Sequence, residues 1–147
     1  MKIAVGSDMK MHVAKVVIED LKKRGHEVTL FGALKTEKTE PWPSVGIEIG
    51  ESVVSGKFDQ GIVFCWTGTG VSIAANKVKG IRAALCNDAY TAKGARKWND
   101  ANVLAMSLRL ISEVTAKEIL EAWFNAKPSQ DSDDVECFRI LDEKEMD

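Results

Sequence analysis

The sequence predicts an α/β fold in which helices cover both faces of a five-stranded parallel sheet. Two observations carry that expectation. Short apolar runs and stretches with apolar residues at 3.6-residue spacing alternate about five times along the chain. The runs themselves, such as Gly61-Ile62-Val63-Phe64, are apolar throughout, as strands buried on both faces are. At 147 residues the chain has the length of one domain, long enough to bury a core without disulfides or metals.

Lys2 to Gly6 is the first strand, followed by a turn at Ser7-Asp8. Val13, Val16, Val17 and Leu21 give Val13 to Arg24 a helical spacing, and Gly25 stops it. Glu27 to Phe31 is a second strand. Ala33 to Pro43 reads as a polar loop with two prolines, long enough to form part of a binding site. Ser44 is placed to cap a helix with apolar positions Val45, Ile49, Val53 and Val54. Gln60 to Phe64 is the third strand, and Val71 to Lys77 opens the next helix. Ile81 to Leu85 is the fourth strand, and Asp88 caps a helix over Ala89 to Lys97. Ala101 to Ala105 is the fifth strand, and Val114 to Phe124 the last long helix.

Residues 1–127 thus make up the domain, and 128–147 a tail of different composition. The tail sets eight acidic residues against Arg139 and Lys144. Val135, Phe138, Ile140 and Leu141 still give it an apolar stripe, so it reads as a short helix packing at a subunit interface.

Composition excludes several classes of function. With 45% apolar residues, 29% charged residues and a net charge of -2, the chain is an ordinary globular protein with no electrostatic case for nucleic acid. No apolar run approaches membrane-spanning length, and Met1-Lys2-Ile3-Ala4-Val5 reads as a strand, not a signal peptide. Three cysteines without CxxC spacing read as reduced thiols in a cytoplasmic protein. With only His12 and His26, a histidine-rich metal site is not expected, and no cofactor is implied.

Between the third strand and its helix the chain reads Cys65-Trp66-Thr67-Gly68-Thr69-Gly70. A strand that turns through Gly-x-Gly into a helix aims several backbone N–H groups at one spot, which suits a phosphate or an oxyanion. Cys65 sets a thiol, a potential base or nucleophile, beside those donors. A lone cysteine ending a strand is ordinarily a small buried hydrophobe. The adjacent Thr-Gly-Thr-Gly favours the functional reading for Cys65, whereas Cys86 and Cys137 keep the bland one. Ligands of parallel sheets bind beyond the strands' C-terminal ends, so Asp8, Cys65, Asn87 and Asn99 are expected to converge. A dinucleotide fingerprint would sit at the first strand, where the chain reads Gly6-Ser7-Asp8 instead.

These residues resemble the ribose-5-phosphate isomerase B and galactose-6-phosphate isomerase family. The likeness runs from Lys2 to about Phe124, through Gly6-Ser7-Asp8, Cys65 with Thr67-Gly68-Thr69-Gly70, and Ser72 to Lys77. Gly80 to Cys86 and Asn99 to Ala105 complete it. The resemblance implies a Rossmann-like fold, a homodimer or dimer of dimers, no metal, and a site at the subunit interface. It also implies aldose–ketose isomerisation of a sugar or sugar phosphate through a cis-enediolate. Cys65 would move a proton between C1 and C2. Backbone N–H groups of Gly68, Thr69 and Gly70, with Thr67 and Asn99, would complete the catalytic site, and Asp8 would contact sugar hydroxyls. Arg109 corresponds to a phosphate-side arginine. A thiol with a pKa of about 8.5 becomes a usable base where a helix N-terminus stabilises its thiolate.

Three departures bear on the substrate. Trp98 stands where the family has the histidine that opens the sugar ring, and an indole cannot accept a proton. Met9 replaces a histidine that helps hold phosphate, and Trp66 replaces a glycine after the cysteine. The tail's family arginines give way to Asp131, Asp133 and Asp134, whose carboxylates would repel a dianion. Lys10, Lys15 and Arg139 are the candidate replacements. Trp42, Trp66 and Trp98 suggest a narrow, apolar pocket. The expectation is an isomerase whose substrate is not ribose 5-phosphate, with an open-chain tetrose or tetrulose phosphate one candidate and a branched or non-phosphorylated sugar the other. The alternative is a non-catalytic sugar-binding protein or one subunit of a heteromeric isomerase.

Overall fold

The sheet grows outward from two strands that carry almost nothing requiring water. In β1 (Lys2–Ser7) every residue after Lys2 is buried, and in β3 (Gln60–Cys65) all six are. The computed structural model, which describes residues 1–146, sets these two side by side. It adds β2 (Glu27–Gly32), β4 (Ala83–Leu85) and β5 (Val103–Ser107) in the order β2-β1-β3-β5-β4, with every pairing parallel. Such a sheet must be covered on both faces. The result is the expected Rossmann-like αβα sandwich.

Successive residues of a strand face opposite sides, and the core divides accordingly. Ile3, Val5, Ile62, Phe64, Leu104 and Met106 pack with α1 (His12–Lys23), α5 (Ala89–Asn99) and α6 (Glu113–Asn125). Trp123 is fully buried there and its Nε1–H donates to Gln60 Oε1 at 2.8 Å, which satisfies the one polar side chain in β3 that needs a partner. Ala4, Val63, Cys65, Val103 and Ala105 face α3 (Trp42–Val54) and α4 (Thr69–Asn76). This second layer is tighter: a Cβ on Gly61 would meet Ile49 Cγ2 at 2.5 Å, and one on Gly46 would meet Ala74 Cβ at 2.6 Å.

The boundaries differ from expectation in four places, each for a local reason. The stretch expected to be a loop contains a short helix, α2 (Ala33–Thr36). α3 starts at Trp42, with Pro41 as its N-cap and a proline in its first turn, so Ser44 lies inside the helix and does not cap it. β4 begins only at Ala83, because the N–H of Arg82 is taken by Asn102 Oδ1 at 2.8 Å. β5 begins at Val103, because Ala101 still belongs to the end of α5 and donates to Ala95 O at 3.0 Å. Asp88 does cap α5, accepting from the Thr91 N–H at 2.7 Å.

The tail forms α7 (Ser132–Glu145), none of whose residues is buried. Two links hold it to the chain: Arg82 Nη1 to Asp142 at 3.0 Å, and the Gly80 N–H to Glu145 Oε2 at 2.8 Å. Its Val135, Ile140 and Leu141 are about half exposed. No helix among the described residues is long and apolar enough to cross a membrane.

Candidate active site

Beyond the C-terminal ends of β1 and β3 lies a pocket of about 360 Å³, lined by Asp8, Trp42, Cys65, Trp66, Thr67, Thr69 and Gly70. Its geometry follows from how β3 ends. The Cys65 carbonyl accepts from the Leu108 N–H at 3.0 Å. The Trp66 carbonyl accepts from Ser107 Oγ at 2.9 Å and from the Arg109 N–H at 3.1 Å. Three bonds therefore tie the Cys65–Trp66 main chain to the segment that leaves β5.

The chain must then reverse into α4 within three residues. Gly68 makes the reversal at φ +77°, and a Cβ there would meet Leu85 Cδ1 at 2.6 Å and Met106 C at 2.9 Å. Glycine is thus required both for its backbone conformation and for its lack of a side chain. α4 starts at Thr69, so the N–H groups of Thr69, Gly70 and Val71 have no intrahelical acceptor. They are available to an anion at the strand end, where the helix dipole also favours negative charge. The Thr67 and Thr69 hydroxyls share a hydrogen bond of 2.7 Å. The Trp42 ring closes one side, lying so near Gly70 that a Cβ there would come within 2.9 Å of it.

Asp8 follows β1 and is held by its main chain: its N–H donates to Phe64 O at 3.3 Å and its carbonyl accepts from the Glu40 N–H at 2.8 Å. The side chain is only 8% exposed, and Oδ1 has no hydrogen-bond partner. Burial pushes the Asp8 carboxyl above its ordinary range, and hydrogen bonds from the Asp8 and Met9 main chain partly oppose the shift. A buried carboxylate oxygen without a donor is costly, and a hydroxyl of a bound molecule would relieve it. Among the described residues no three or more His, Cys, Asp or Glu side chains gather as a metal-binding group.

Within one chain Asn87 and Asn99 do not join Asp8 and Cys65 as expected, and the expected site residues Met9 and Trp98 do not line the pocket either. Met9 is half-buried against the larger core and is absent from the pocket wall. Asn87 is exposed beyond the edge strand β4. Asn99 is the last residue of α5, and helices run back toward the strands' N-terminal ends. Position 99 thus precedes a strand and does not follow one. Asn99 borders a separate cavity of about 410 Å³, shared with Asn76, Arg82 and Leu141. Trp98 folds back over Gly94, where a Cβ would meet its ring at 2.8 Å, and stacks edge-on to Tyr90 with ring centres 6.0 Å apart.

The charges sort as follows. Arg109, whose main-chain N–H reaches the Trp66 carbonyl, is exposed, does not line the pocket, and pairs with no carboxylate among the described residues. Lys10 is paired with Glu37, and Arg139 with Glu136 and Glu143 of its own helix. Two contributors escaped the sequence reading. Ser107 fixes Trp66, and its signal was a serine ending the apolar run Val103-Leu104-Ala105-Met106. Arg82 holds Asp100, which adopts a positive φ of 46°, through both its carbonyl at 3.0 Å and its carboxylate at 2.8 Å. No sequence signal marks that pair.

Against known proteins, the sequence pattern described as Ribose/Galactose Isomerase matches residues 3–137. D-erythrulose-4-phosphate isomerase of Pectobacterium atrosepticum is 41% identical over 128 residues, covering 86% of this chain and 84% of that protein. Ribose-5-phosphate isomerase B of Escherichia coli is 40% identical over 127 residues, covering 86% and 85%. The solved structure of Ribose-5-Phosphate Isomerase B from Clostridium thermocellum matches with a TM-score of 0.91 at 41% identity, covering 99% of this chain and 98% of that one.

Proposed function

Since the chain belongs to the ribose/galactose isomerase family, we propose that it interconverts the aldose and ketose forms of an open-chain four-carbon sugar phosphate. Its likeness to a D-erythrulose-4-phosphate isomerase supports that substrate class. One observation carries the reading. Among the described residues the only titratable side chains lining the pocket are Asp8 and Cys65, which share it with Thr69 and Gly70 at the start of α4. That is a set for enolisation, and the histidine position that opens sugar rings in the family carries the Trp98 indole here.

In this mechanism the Cys65 thiolate removes the proton from the carbon next to the carbonyl. The electron pair moves into a cis-enediolate, whose oxygen charge rests on the N–H groups of Thr69, Gly70 and Val71. Cys65 returns the proton to the neighbouring carbon while the hydroxyl proton passes between O1 and O2. Asp8 Oδ1 accepts from a sugar hydroxyl, and Arg109 attracts the phosphate. Ring opening would need a group that both gives and takes a proton, which the Trp98 indole is not. A four-carbon sugar with its phosphate on O4 has no hydroxyl left to close a furanose, so the missing group costs nothing.

Asn99 enters this reading as a contribution from a second copy in a homodimer or dimer of dimers, because within one chain it lies at the far end of the sheet. The same separation favours a second reading, in which this chain is one subunit of a heteromeric isomerase and a different partner supplies that side. The test is proton exchange in D2O followed by NMR, with the purified chain and a panel of tetroses, pentoses, hexoses and their phosphates. Deuterium should enter C1 or C2 of a four-carbon sugar phosphate, and Cys65→Ala should slow exchange by about 10²- to 10⁴-fold. Exchange with no sugar on the panel rejects the first reading, and exchange only after adding a second family member selects the second.

A further inference from the structure

We propose that Trp66 is the chain-length gate of the pocket, limiting the substrate to four carbons by closing the path a fifth would take. The inference rests on the isomerase reading for its substrate class but on separate observations for its geometry.

Trp66 is 48% exposed and Trp42 43%, although both line the pocket, whereas Trp123 is fully buried in the core. Both pocket tryptophans thus keep nearly half of their surface in water. Asp8 and Cys65, the reactive groups, are buried at 8% and 4% exposure, so the two half-exposed indoles stand outward of them. Of the two rings, Trp42 is held against Gly70, where even a methyl group would not fit. The Trp66 main chain cannot retreat, because the Cys65 and Trp66 carbonyls together accept three hydrogen bonds from Ser107, Leu108 and Arg109. The free width of the pocket is therefore set by the side chain of Trp66.

Position adds chemistry to size. Trp66 lies in the chain directly after Cys65, and its carbonyl receives the N–H of Arg109. In the proposed binding mode, with the carbonyl at the thiol and the phosphate drawn toward that arginine, the substrate chain runs past Trp66. The indole offers one donor and no acceptor. An additional CHOH unit would set a hydroxyl against a ring that has no acceptor for its proton. Length and polarity are thus selected by one residue.

The test uses two ligands that cannot be isomerised, a four-carbon and a five-carbon aldonic acid phosphate, and reads their dissociation constants by calorimetry. Wild type should prefer the four-carbon acid. Trp66→Ala should move the ratio toward the five-carbon acid by roughly 10- to 200-fold, the range for one chain unit in an apolar pocket, with Trp66→Phe in between. Circular dichroism checks that both variants remain folded. A ratio that does not change, or a wild type that binds both acids equally or neither, overturns the proposal. Selective binding without proton exchange on any sugar would leave the gate standing and remove the isomerase reading. Exchange with an unmoved ratio would do the reverse.

Discussion

Replacing Gly68 by alanine puts the turn between β3 and α4 to a quantitative test, because the structure separates two costs. An L-residue held at φ +77° pays about 1–2 kcal/mol for the left-handed conformation. The new methyl also meets Leu85 Cδ1 at 2.6 Å and the Met106 main chain at 2.9 Å. Met106 lies in β5, an interior strand that cannot yield, so overpacking adds about 1–3 kcal/mol. Gly68→Ala should therefore destabilise by about 2–5 kcal/mol, on the order of 4–20 °C in Tm for a domain of this size. Gly25→Ala is the control. Its φ is +88° with nothing within 4 Å, so it carries the conformational cost alone. Calorimetric melting of both variants isolates the steric part as their difference. Activity measured well below Tm adds a second readout, since displacing an oxyanion donor costs about 10²- to 10³-fold in rate. A Gly68→Ala protein as stable as Gly25→Ala, or one that melts low yet turns over at the wild-type rate, refutes this account of the turn.

In a Trp66→Ala background, which opens the pocket to a fifth carbon, adding Trp98→His should give turnover of a furanose-forming pentose phosphate, as followed by ketose formation; a double variant no better than Trp66→Ala alone rejects the ring-opening argument. Asp8 is expected to set the acid limb of kcat/KM above its ordinary value of 3.8, because burial raises its folded-state pKa, and Asp8→Asn should remove that limb. The sign for stability follows from the same shift. The neutral acid is the form the fold prefers, so the charged form costs stability as pH rises through the folded pKa. Asp8→Asn should therefore be more stable than wild type at pH 7, with the gain vanishing below pH 3.8 in chemical denaturation. If Asn99 serves a second copy's site, inactive Cys65→Ala and Asn99→Ala proteins mixed under exchange should regain about a quarter of wild-type activity, since half the dimers then carry one intact site. No recovery would place Asn99 outside the reaction.

The fold was legible because its signals are local and repeated. Five apolar runs, helical spacing between them, and caps such as Asp88 each point to the same parallel sandwich. The β3–α4 turn was legible for the same reason: its strand, glycines and helix start are contiguous in the chain. What escaped was information held across the chain. That Asn99 lies away from Cys65 depends on the direction of α5 relative to the sheet. That Ser44 is interior depends on the two prolines before it. Met9 differs again, because a residue just after a strand can face either layer, and here its side chain joins the core. The hold of Arg82 on Asp100 joins residues 18 positions apart and leaves no trace in local composition.

The close approach of α3 to the sheet on one side and to α4 and the segment after it on the other has a bearing on motion. Gly46, Gly50 and Gly61 each lie so near a neighbour that a Cβ would come within 2.5 to 2.8 Å of it. Layers in such contact have no nearby alternative packing to slide into. Cys65 is embedded in this layer, so the thiol and the donors of α4 keep their spacing on the microsecond-to-millisecond scale at which many enzymes open and shut. With Trp42 held against Gly70, the half-exposed ring of Trp66 is the pocket side chain left to reorient, in the picosecond-to-nanosecond range of exposed side chains. Passage in and out of the pocket is thereby governed by ring rotation and diffusion, and no slow closure need precede each turnover.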